Sequence, residues 1–176
     1  MASGSDLDAV AAPLVLTVEM DGDAFAFFDD LRRRHYPAER NMVPAHVTLF
    51  HRLPGSRARE IKALLAKVAA GQKTVHVAVG DVKALERGVA IFLHSPQLHA
   101  LRDALATEWW PWLTDQDKTG FRPHVTIQGN VGAARARATM QALSEGFRPR
   151  QIKAVGLHLW RYRGGAWESE QLFRFR

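Results

Sequence analysis

Two short segments carry residues whose types and spacing could do chemistry together. Residues 44–50 read PAHVTLF and residues 123–128 read PHVTIQ, so a histidine followed two positions later by a threonine occurs twice, 78 residues apart. Side chains alternate along an extended strand. That places His46, Thr48 and Phe50 on one face of the first segment and His124, Thr126 and Gln128 on one face of the second, with Val47, Leu49, Val125 and Ile127 turned to the core. Two facing imidazoles suit a reaction that removes a proton at one end and delivers one at the other, because near neutral pH one ring can be neutral and its partner charged. Opening a 2′,3′-cyclic phosphate makes this demand. One histidine would activate water, the other would protonate the departing ribose oxygen, and the threonine hydroxyls would hydrogen-bond the non-bridging oxygens. A chain of 176 residues with eight histidines should contain about 0.004 matches to His-Val-Thr-[Leu/Ile] by chance, so two matches call for a shared purpose.

The surrounding sequence supplies two similar sets of elements. In the first half, a β-rich run at 13–20 precedes the helical segment DGDAFAFFDDLRRRHYP, which has acidic residues early and arginines late, as a helix dipole favours. Pro37 stops it. A strand at 46–53 leads into a helix over 54–71, with Ile61, Leu64, Leu65 and Val68 at helical spacing, and a strand over 73–85 follows. The second half repeats the order with a strand at 88–95, a helix at 96–110, a strand at 124–130, a helix at 131–146 and a strand at 150–162. It ends with a hairpin through Gly164-Gly165. The expected fold is α+β and bilobal, a duplicated arrangement of two antiparallel-type sheets around a central cleft with helices outside. Residues 1–12 form a loose leader, 13–87 the first lobe and 88–176 the second with the C-terminal hairpin.

Composition narrows the function classes. The hydrophobic fraction of 47% and charged fraction of 24% are those of a globular protein, and no apolar run approaches the roughly 20 residues of a membrane-spanning helix. The absence of cysteine excludes disulfides, thiolate metal sites and thiol nucleophiles. Asp6 and Asp8 stand where a secretory signal carries basic residues, so a cytoplasmic protein is expected. A net charge of +6 favours an anionic partner. No acidic residue sits at metal-ligand spacing beside either motif histidine, so neither a metal nor another cofactor is expected.

HVTL at 46–49 and HVTI at 124–127, one in each half of a duplicated chain of this size, resemble the 2H phosphoesterase superfamily, specifically the bacterial 2′-5′ RNA ligase-like proteins. The resemblance implies a bilobal fold and metal-independent action on cyclic phosphates or 2′-5′ linkages in RNA or nucleotides, with ligation possible in reverse. Carried over residue by residue, it makes His46 and His124 the acid and base, in either order, and Thr48 and Thr126 the phosphate-binding hydroxyls. Phosphodiesterases of small nucleotides, such as ADP-ribose cyclic phosphate or 2′-5′ oligoadenylate, and a noncatalytic RNA-binding module are the other readings of the same residues.

Around the motifs, Phe50 and Gln128 are expected to tune substrate choice because the two copies differ there. Arg122 lies within reach of a phosphate. His76 and His158 form a second repeat-related pair, and Trp160 and Tyr162 share the face of His158, where an aromatic ring can stack a base. The segment DQDKTGFRP at 115–123 reads as a mobile lid, and His35, His51, His94 and His99 are assigned no chemistry. A monomer acting on RNA or a nucleotide, with no membrane partner, completes the expectation.

Overall fold

The repeated pattern of alternating and helical hydrophobicity builds twelve main elements in the computed structural model, which describes residues 12–176. In order they are β1 (Leu14–Met20), α1 (Gly22–His35), β2 (Thr48–Leu53), α2 (Ala58–Gly71), β3 (Val75–Leu85), β4 (Gly88–His94), α3 (Pro96–Trp109), α4 (Asp115–Lys118), β5 (His124–Gln128), α5 (Ala133–Gly146), β6 (Arg150–Arg161) and β7 (Glu168–Arg174). The expected leader lies outside the described residues, apart from Ala12. Local chemistry sets the element ends: Asp21 caps α1 by accepting from Ala24 N at 3.0 Å, and Ser95 caps α3 by accepting from Leu98 N at 3.2 Å. Gly164, with φ of +96°, takes the left-handed turn position between β6 and β7.

The strand order is β2-β1-β6-β3-β4-β5, every pairing antiparallel, with β7 added beside β6. This order is palindromic with respect to the repeat. The first strand of each half, β1 or β4, sits between its own motif strand, β2 or β5, and the third strand of the other half, β6 or β3. The pseudo-twofold axis falls near the Val77–Ile152 pair, midway along the β3–β6 ladder. One expectation is corrected here. The ladder is one continuous seven-stranded sheet instead of two, because β6 is long enough to pair with β3 over 150–154 and with β1 over 154–161. Strand pairing also crosses the 87/88 division, since each half gives its third strand to the other.

Helices follow the same exchange. α1 packs on β5, α5 on β3 and β4, and α2 on β6 and β7. Leu14, Leu16, Phe28, Ile61, Leu65, Val75, Val125 and Leu157 are each fully buried and belong to one cluster that runs through both halves. At about 1.5–3 kcal/mol for each such aliphatic or aromatic side chain removed from water, this shared core is what fixes the two motif strands relative to each other. Among the described residues, no helix is long and apolar enough to cross a membrane.

Candidate active site

Each motif histidine is aimed by its own chain. His46 Nδ1 lies 2.8 Å from the Pro44 carbonyl, and His124 Nδ1 lies 2.8 Å from the Arg122 carbonyl, the same two-residue step back in both repeats. A carbonyl can only accept, so Nδ1 carries the proton in both rings and Nε2 is the nitrogen that gains or loses one. The first motif is further tied down by Val18 N donating to the Val47 carbonyl at 2.9 Å and by Ala45 N donating to Asp29 Oδ1 at 3.0 Å. His46 rests against Trp167, ring centres 4.7 Å apart, and His124 stacks on Phe92 at 5.2 Å.

Burial pushes His46 down to about 4, and the charges of Arg32, His124 and His51 act in the same direction against the hydrogen bond to Pro44. At pH 7 this ring is neutral. Arg32 is buried and spans three acceptors: Asn41 Oδ1 at 2.9 Å, the Val43 carbonyl at 3.2 Å and the Thr126 carbonyl at 2.7 Å. Its counterpart in the other half, Arg102, is also buried and donates to the carbonyls of Leu49 and Asp117. Each arginine therefore reaches from a helix of one half to the motif strand of the other. Both occupy the apolar stripe of their helix, Phe28–Leu31–Arg32 and Leu98–Leu101–Arg102–Leu105. A charged residue at a core position was the sequence signal for them.

Of the residues expected in the site, His46, His158 and Trp160 line one cavity of about 450 Å³. Thr48, Arg122 and His124 line a neighbouring one of about 310 Å³. Thr126 is half-buried on β5 and is positioned through its carbonyl by Arg32. His158 and Trp160 stack on each other at 3.7 Å, and Thr17 Oγ1 accepts from Trp160 Nε1 at 2.9 Å. His158 also faces Glu19 at 3.4 Å and Ser169 at 2.8 Å.

Phe50 and Gln128 do not face the cleft, contrary to expectation. In β2 the register moves from Thr17↔Thr48 to Leu16↔Phe50, and in β5 from Ala90↔Thr126 to Val89↔Gln128, so each motif strand carries one extra residue just after its threonine. These repeat-related bulges turn two successive side chains inward. Phe50 is fully buried against Trp109 at 5.2 Å, and Gln128, 1% exposed, donates to Thr139 Oγ1 at 2.8 Å. His76 and Tyr162 are exposed and line neither cavity.

The first bulge also brings His51 to the second cavity. The segment expected as a loose lid instead forms α4, whose buried Asp117 accepts from His51 N, Arg52 N and the His51 ring at 2.9 to 3.0 Å. Burial alone would raise the Asp117 carboxyl, but these hydrogen bonds hold it below its ordinary value. Trp167, unassigned in the sequence, joins the aromatic wall by lying 6.1 Å from Trp160. Among the described residues, no three His, Cys, Asp or Glu side chains converge as ligands for a metal ion.

This arrangement has relatives of known structure. The fold matches TT0787 of Thermus thermophilus with a TM-score of 0.69 at 16% identity, covering 93% of this chain and 98% of that one. It matches E. coli LigT, crystallised with 3′-AMP, with a TM-score of 0.64 at 14% identity, covering 94% and 98%. A crystal structure described as a phosphoesterase matches with a TM-score of 0.61 at 15% identity over 94% and 98%. No curated protein matches the sequence significantly. The family model for the 2′-5′ RNA ligase superfamily matches residues 20–166. That span takes in both histidine–threonine motifs and most of the chain, and the protein belongs to the 2′-5′ RNA ligase superfamily.

Proposed function

We propose that the protein is a phosphoesterase that opens 2′,3′-cyclic phosphates on RNA ends or nucleotides by acid/base catalysis between His46 and His124, with no metal in the reacting centre. One observation carries this reading: both motif histidines have Nδ1 pinned at 2.8 Å by a carbonyl two residues upstream. Pinning leaves Nε2 as the working nitrogen of each ring and removes most of the rotational freedom that would otherwise have to be frozen out in the transition state. His46, held near 4 by burial, is neutral at pH 7 and is the ring suited to take the proton of the attacking water. His124 then delivers a proton to the leaving ribose oxygen, and the Thr48 and Thr126 hydroxyls hydrogen-bond the phosphate oxygens. Ligation follows the same path with a 5′-hydroxyl in place of water: the hydroxyl loses its proton to one histidine as its oxygen bonds to phosphorus, and the departing ribose oxygen takes a proton from the other.

The aromatic wall of Trp160, His158 and Trp167 supports a nucleobase beside His46, since ring faces stack bases of any sequence. The complex of LigT with 3′-AMP supports a nucleotide as ligand. The test is conversion of an oligoribonucleotide ending in a 2′,3′-cyclic phosphate to its monophosphate with EDTA present, alongside cyclic mononucleotides and 2′-5′ dinucleotides. Turnover of the cyclic phosphates in EDTA is expected. Absence of turnover on the whole panel, or activity abolished by EDTA, overturns the reading.

A further inference from the structure

The two cavities beside the histidine pair differ in character. The one at His46 is walled by Trp160 and Phe25, and its charged lining is two carboxylates, Glu19 and Asp21, against one guanidinium, Arg174. The other is lined by His51, Arg102, Arg122 and His124, and its carboxylate, Asp117, is 1% exposed and already accepts from two backbone amides and the His51 ring. The aromatic faces on this side are occupied as well. Phe92 stacks on His124 and has Lys83 and Arg122 over it at 5.1 and 5.7 Å, while Phe121 has Arg102 at 5.5 Å and His99 at 5.0 Å. A base finds little free ring surface there, and an anion finds donors.

Asp117 also sets the orientation of His51. With Nδ1 turned to the carboxylate at 2.9 Å, Nε2 is the nitrogen left for a ligand, on a side chain that is 44% exposed. An anion at Nε2 accepts a hydrogen bond when that nitrogen carries a proton, while Nδ1 keeps its bond to the carboxylate.

We propose that His51, aimed by Asp117, binds a second phosphate of the substrate, namely the 5′-phosphate of the nucleotide whose 2′,3′-cyclic phosphate reacts between His46 and His124. This rests on the proposed function above. In such a nucleotide the base leaves the ribose at C1′ and the 5′ substituent at C4′, on opposite sides of the 2′,3′ edge. With the cyclic phosphate between the histidines and the base toward Trp160, the 5′ substituent points to the His51 cavity. An RNA end carries a phosphate there and a free cyclic mononucleoside does not, so the site selects RNA ends and 5′-phosphorylated nucleotides. Arg122 is the second donor to that phosphate.

The experiment compares kcat/KM for adenosine 2′,3′-cyclic phosphate with and without a 5′-phosphate, in the wild type, His51→Asn and Arg122→Gln. The wild type should prefer the 5′-phosphorylated form by about 10- to 100-fold, the range of one or two charge-assisted hydrogen bonds. His51→Asn should lose about 10-fold more with that substrate than with the other. Arg122→Gln, at an exposed position, should lose in the same sense and carries the comparison if His51→Asn does not fold. A wild type without the preference, or variants that keep it in full, overturns the proposal. Binding of adenosine 2′,5′-bisphosphate against adenosine 2′-phosphate, followed by tryptophan fluorescence, repeats the comparison without turnover. If neither cyclic compound reacts, the proposed function falls, and the bisphosphate ratio alone decides the phosphate site.

Discussion

Protonation of His46 is coupled to folding, and the size of the coupling follows from its surroundings. Burial moves the ring from an ordinary value of 6.5 to about 4. The folded pKa is the depressed one, so between roughly pH 4 and 6.5 the unfolded chain binds a proton that the folded chain does not. Stability should therefore fall as pH drops through that window. At about pH 5 the full linkage is about 2 kcal/mol at 1.36 kcal/mol per pK unit. The ring is only half-buried by surface area, and solvent screening brings the expected effect to about 1–2 kcal/mol. His46→Asn removes the titration and keeps a polar side chain. Urea unfolding of both proteins at about pH 7.5 and pH 5 should show a smaller loss of stability in the variant by that amount. Equal pH dependence in the two proteins would refute burial as the cause of the depressed value.

Arg32→Met would leave the Val43 and Thr126 carbonyls and Asn41 without their donor, costing roughly 2–4 kcal/mol in thermal or urea unfolding. Since the Arg32 charge opposes protonation of His46, the same variant should raise the His46 pKa, read by NMR titration. Gly88→Ala would set a Cβ 2.9 Å from Gly129 Cα and into the Gln128 carbonyl, where β4 meets β5. It should cost about 3 kcal/mol and loosen the strand that carries His124, detectable as faster amide exchange over 124–128.

Much of the fold was legible because hydrophobic period and repeat agree. Val75, Val77 and Val79 alternate and are all buried, and the helix around Ile61 and Leu65 runs to Gly71 as its spacing requires. The equivalent setting of the two HVT segments was legible for the same reason, and each histidine holds a carbonyl two residues upstream. Strand exchange was not, because β3 and β6 have the same pattern whichever half they pair with. The bulges after Thr48 and Thr126 were also invisible: a strand pattern carries no sign of an extra residue, and one bulge was enough to bury Phe50 and to bring His51 to the cavity. Asp117 lies 66 residues from His51 in the chain, and nothing local in DQDKTG marks it as the group that holds that ring.

Two histidines acting together, one taking a proton and one giving it, should be inseparable in their effect on rate. The decisive comparison is kcat/KM on a 2′,3′-cyclic-phosphate oligoribonucleotide in EDTA for the wild type, His46→Ala, His124→Ala and the double variant. Each single change should lower turnover by about 10² to 10⁴, and the double variant should be little worse than either single one, because neither proton transfer is productive without the other. A single variant that keeps wild-type turnover, or losses that multiply in the double variant as they do for independent sites, would show that the two rings do not work as a pair.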